Sequence, residues 1–347
     1  MRLLTRADLI ERLEAAGVIV APRAKELRGH LPPPSWLLFL QGGAAWIASL
    51  FLMASFAAPL LLMIFGEGPM GRGIYGLLLL GAAVWLFSRR KVFTDQMGLA
   101  FSMAGQAMCV TAFAGVFEYG EFHARRMAAV ALLLAVLMSV PRSPQVHRIV
   151  CALVVWCSLG VLIGSGNPLL VFAVALTAVA VAAWLQRDRW VTLRWAPTLA
   201  AAAHAATLGA LVSAWGVGNE FAQAITQPVF PWIYKVGVGM VLVGATGWLT
   251  RETPTPMRLV VLAGSALFAA AAWNAPGLVA SVAVLVAAFH AAQRTWTGLA
   301  LLALAWYLSE FYYSLEATLL VKSGALAATG LVLLAVALAL RRWGRPA

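Results

Sequence analysis

A chain of 347 residues that is 62% hydrophobic and only 11% charged is not expected to be a water-soluble globule. Its net charge of +12 raises nucleic acid as a partner. The basic residues, however, sit in short gaps between apolar runs, and no basic helix is interleaved with stacking aromatics, which argues against that class. Membrane lipids with anionic headgroups are the expected partners of these charges.

Residues 1–35 read as a short cytoplasmic or membrane-surface helical segment. Thr5-x-x-Asp8 resembles a capping box, Leu9, Ile10, Leu13 and Ala16 follow a helical period, and Gly17 is a natural stop. A second helix is expected over Arg23–Arg28, ended by Pro32-Pro33-Pro34. Charges run throughout this segment, so it is not expected to be a cleavable signal peptide.

Residues 36–347 read as a transmembrane helical domain. Apolar runs fall at 36–65, 74–88, 96–117, 127–140, 149–165, 168–185, 196–215, 230–250, 259–273, 276–292, 297–313 and 322–340. Lipid offers no partner to backbone N–H and C=O groups, so such runs must be helices. The expected fold class is therefore an all-α polytopic membrane helical bundle of about twelve transmembrane helices. Pro59 should kink or shorten the first span. Cys109, Cys151 and Cys157 fall inside apolar runs without a metal or redox spacing, and are expected to be packing residues.

Of the 25 Lys and Arg, 20 fall in alternate gaps, at the N-terminal segment, Arg89-Arg90-Lys91, Arg142/Arg148, Arg187/Arg189/Arg194, Arg251/Arg258, Arg294 and the C-terminal tail. The other gaps hold Arg72, Arg125, Arg126, Lys235 and Lys322. Basic loops are retained in the cytoplasm, which predicts cytoplasmic N- and C-termini. Hairpin tips recur at Arg89, Arg187 and Arg294, and Asn167-Pro168 and Ala275-Pro276 open matching helices on the other side. That pattern suggests three four-helix repeats, a device of transport folds.

Two groups of polar residues are candidate sites. The first is an outer polar site in which Glu310, Tyr312, Tyr313, Glu316 and Lys322 crowd one membrane face, with Glu118, Glu121 and His123 supplying another wall. The alternative for the former set is an interfacial tyrosine belt, and for the latter a solvated loop. The second group is mid-membrane, Gln106 and His204, at a depth where polar groups are costly. A neutral histidine bonded to a neighbouring helix is the alternative to a pathway or relay. Gly160-x-x-x-Gly164 is expected to let helices approach. No phosphate loop, nucleophile elbow, zinc helix or dinucleotide fingerprint occurs, so no catalytic residue, metal or cofactor is assigned.

The run from Phe311-Tyr312-Tyr313-Ser314-Leu315-Glu316 to Val321-Lys322-Ser323, with Gly330, resembles the C-terminal signature of domain of unknown function 4401. Trp36-Leu37-Leu38 with Ala44-Ala45-Trp46-Ile47-Ala48 is similar to that family's first span, and Gln96 with Ala104-Gly105-Gln106 to its third. The resemblance implies a multipass bacterial inner-membrane protein working with a smaller membrane partner, and brings no activity or substrate. From the residues, the expected function is permeation or transport of a small solute or lipid-like molecule. A non-catalytic membrane subunit or scaffold for a partner protein is the alternative, and an intramembrane enzyme built on Glu118, Glu121 and His123 a third.

Overall fold

The computed structural model describes residues 6–29, 35–66, 68–116, 123–139, 143–218 and 230–314. Among them every regular element is helical. The helices are α1 (Arg6–Ala15), α2 (Ala21–Gly29), α3 (Ser35–Leu52), α4 (Ala58–Phe65), α5 (Pro69–Ser88), α6 (Val92–Val116), α7 (His123–Ser139), α8 (Gln145–Ile163), α9 (Asn167–Leu185), α10 (Arg187–Trp190), α11 (Ala196–Gly218), α12 (Trp232–Leu249), α13 (Thr255–Ala271), α14 (Pro276–His290) and α15 (Arg294–Ser314). Six of them, α5, α6, α8, α9, α11 and α12, are long and apolar enough to cross a membrane, which indicates a membrane location.

Local chemistry accounts for several boundaries. Gly17 turns the chain after α1 at φ 69°, a conformation that only glycine adopts freely. Between α3 and α4 the chain forms a π-helical turn over Met53–Ala57, just ahead of Pro59. Proline offers no N–H to the preceding turn and its ring crowds that turn's carbonyl, so widening the helix by one residue relieves the clash. Pro69, Pro168 and Pro276 lie in the first turns of α5, α9 and α14, where a missing N–H costs nothing.

The described helices divide into two compact units, α1–α6 and α7–α15. In the first, α5 and α6 form a close hairpin. A Cβ on Gly76 would lie 2.6 Å from Cys109 Sγ and 2.9 Å from Gly105 O, and one on Gly105 would lie 2.8 Å from Gly76 O. Lipid supplies no hydrophobic drive between helices, so such backbone approach is what holds the pair. In the second unit, a Cβ on Gly160 would make only ordinary contact with Phe172 and Leu169, while Gly164, at φ 89°, ends α8 where an added Cβ would come within 2.9 Å of the Arg125 guanidinium. The first unit joins two of the three segments that carry the family resemblance, since Trp46 Nε1 donates to Gln96 Oε1 at 3.4 Å.

In the second unit α14 is the central helix. Ala280, Ala283, Val284, Ala287 and Ala288 are buried along it, and Leu170, Trp184, Val238 and Leu242 complete the core. The outward faces remain apolar. On α13 no residue is buried and Leu267 is 72% exposed, while Met240 on α12 is 65% exposed. In water such faces would aggregate; in lipid they are solvated.

Candidate functional site

Two polar assemblies stand out in the second unit, at opposite ends of its helices. At the end where α14 begins, Glu310 lines a cavity of about 80 Å³ with Asn274, Pro276, Gly277, Tyr307 and Phe311. Tyr307 forms a fixed wall. Its ring lies against Gly277, where an added Cβ would come within 2.6 Å, and its hydroxyl donates to Leu211 O at 2.5 Å. Asn274 continues the polar rim, its Oδ1 accepting from Lys235 Nζ at 3.5 Å. The Lys235 ammonium also lies 5.5 Å from the Trp273 ring centre. A carboxylate and an amide thus line one cavity, and the amide reaches the Lys235 ammonium beside it.

Of the predicted outer set, Glu310 lines this cavity, whereas Tyr313 is 78% exposed and meets Tyr312 edge-on at 5.5 Å, as interfacial tyrosines do. His123 opens α7. Glu118, Glu121, Glu316 and Lys322 lie outside the described residues, so the expected second wall does too.

At the other end, three aromatic rings meet. Trp296 Nε1 donates to His204 Nδ1 at 2.5 Å, and the two rings stack with centres 5.6 Å apart. Trp184 covers the histidine at 5.1 Å and donates from Nε1 to Thr207 Oγ1 at 2.7 Å, one turn along α11. The Thr207 hydroxyl in turn donates to Ala203 O. Counted along α11 alone, His204 sits well inside its span, yet its partners come from the last turn of α9 and the first turn of α15. Those hairpin tips are tied by Arg187, which donates to Ala291 O at 2.8 Å and, with the Gln293 amide oriented to accept, to that side chain at 2.9 Å.

The Trp296 bond limits what His204 can do. An indole N–H only donates, so Nδ1 must be the unprotonated nitrogen, and a proton there would set two donors against each other. Gln106, in the first unit, is buried and donates to Ser102 Oγ at 3.1 Å. Each candidate mid-membrane group is therefore bonded within its own unit.

Two assemblies escaped the sequence reading. His147 and Cys151 are buried one turn apart on α8, with Sγ 3.6 Å from Nε2, and Cys151 lines a cavity of about 150 Å³ with Arg148 and Trp156. The spacing His147-x-x-x-Cys151 was the available signal. The other is Tyr234, sealed in the core with Ser213 and Thr177 as its polar neighbours. Both of those hydroxyls donate to their own helices. No group of three or more metal-ligating side chains occurs among the described residues.

No curated protein and no solved structure matches the chain. A family model does, over residues 34–343, and that match takes in both helical units and the tail signature. The chain therefore belongs to the family described as "Domain of unknown function (DUF4401)".

Proposed function

We propose that this chain is a non-catalytic subunit of the bacterial inner membrane that holds lipid and a smaller membrane protein partner. Its termini are cytoplasmic and it crosses the bilayer about twelve times, a topology supported by the basic gaps in the sequence. The observation that carries the reading is the Trp296–His204 bond, with the Trp184 ring tilted against the histidine at 5.1 Å. The best candidate for a relay has its Nδ1 occupied by one donor-only indole and serves helix packing. Around it the core is close-packed alanine, valine and leucine.

Transport of a small solute or lipid-like molecule is the second reading, favoured by the half-buried Glu310 in its cavity. Two of the three hairpin tips share a backbone feature: those of α5–α6 and α14–α15 each place a non-glycine residue, Arg90 and Ala292, at φ 52°, and the Arg187 tip does not.

The deciding experiment is reconstitution of the full chain in vesicles, with purification in native lipid alongside. A partner recovered in fixed stoichiometry, with no solute flux above protein-free vesicles, sustains the subunit reading. Flux that disappears with Glu310→Gln overturns it in favour of transport.

A further inference from the structure

A groove of about 550 Å³ runs between α12 and α13 on the second unit. Its walls are Val236, Met240 and Val243 on one helix and Ala266, Ala269 and Ala270 on the other, with Gly239 and Gly244 as its floor. The volume falls in the range of small-molecule sites, roughly 300–1,000 Å³. From Lys235 to Gly244 it extends nine residues, or about 14 Å along α12. That is close to half of the roughly 30 Å hydrocarbon core, the depth of a single leaflet.

Polarity is confined to one end. Lys235 and Trp273 close the groove at the helix terminus, and everything deeper is apolar. No carboxylate among the described residues pairs with Lys235; its polar partner is the neutral Asn274, with the Trp273 face beside it. A cation in the first turn of α12 also gains nothing from that helix's dipole, so its charge is not explained by the stability of α12. An ammonium above a one-leaflet apolar slot complements a molecule with an anionic head and a single long apolar tail against the protein.

We infer that the α12–α13 groove binds an anionic glycerophospholipid, one acyl chain lying over Gly239 and Gly244 and the phosphate meeting Lys235. This deepens the lipid-holding part of the proposed function and rests on it. It is independent of whether the chain conducts a solute.

The test uses the full chain, purified in detergent and stripped of lipid. It is then offered equal amounts of phosphatidylglycerol and phosphatidylcholine with matched acyl chains, and retained lipid is read by native mass spectrometry. The wild type should retain phosphatidylglycerol preferentially. Lys235→Gln should weaken that retention roughly tenfold or more, the loss of one charge-assisted bond, while Lys235→Arg keeps it. A Cβ at Gly244 meets nothing within 4 Å, so Gly244→Leu should obstruct the groove and weaken retention of both lipids without moving a helix. Equal retention of the two lipids, or an unchanged preference in Lys235→Gln, overturns the proposal. So does a photoreactive side chain at Gly244 that captures a protein helix and no lipid. Should Gly244→Leu fail to fold, the headgroup preference of Lys235→Gln decides alone. Failure here leaves the flux and co-purification outcomes untouched, so the two readings fall separately.

Discussion

Trp296 and His204 lie 92 residues apart and share a hydrogen bond of 2.5 Å, indole N–H to imidazole Nδ1. The pairing fixes α15 to α11 where both pass Trp184 of α9, so three helices meet on one ring. An imidazole nitrogen that accepts from an indole on another helix is a polar side chain used as packing.

Trp296→Phe keeps a ring in place and removes the donor. His204 Nδ1 is then left without a partner, and the protein should lose about 1–3 kcal/mol of stability, read by thermal unfolding in detergent. Combining it with His204→Phe should recover part of that loss, because both polar partners are gone. A double variant that is the sum of two losses would mean the bond contributes nothing of its own.

The α5–α6 hairpin offers a sharp contrast of two glycines. Gly76→Ala puts a methyl group 2.6 Å from Cys109 Sγ and should cost about 1–3 kcal/mol as the helices part. Gly81 has open space around its Cβ position, and Gly81→Ala should be neutral or stabilising by up to about 1 kcal/mol. The measurement is the unfolding midpoint of each full-length variant. Equal effects would refute the close-approach account.

Glu310→Gln should change partner retention or solute flux with little change in the amount of folded protein, because the amide keeps the shape of the cavity wall. Tyr313→Phe is the control: at 78% exposure its stability effect should stay within about 0.5 kcal/mol. If the two variants behave alike in both assays, the Glu310 cavity has no functional role.

Topology is tested by reporter fusions. Fusions at Arg90, Arg189 and Ala347 should report the cytoplasm, and fusions near Gly68 or Asn219 the opposite side. Arg90 and Arg189 on opposite sides would end the twelve-span arrangement.

What the sequence determined by itself was local or summed over the chain. Pro59 acts on the turn before it, and the π-turn at Met53–Ala57 appears where its missing N–H requires relief. Gly17 and the prolines opening α9 and α14 mark boundaries through their own dihedral limits. The all-helical class follows from backbone groups that lipid cannot satisfy.

Which distant residues meet depends on how the helices pack. Trp296 on His204, Trp46 on Gln96, Tyr307 on Gly277 and Gly76 on Gly105 all depend on the register between helices. Runs of alanine, leucine and valine tolerate many registers, because each presents nearly the same surface to its neighbour. The choice among them rests on backbone approach and on finding each indole or hydroxyl an acceptor. Those conditions are set by pairs of helices, and a single stretch of sequence does not contain them.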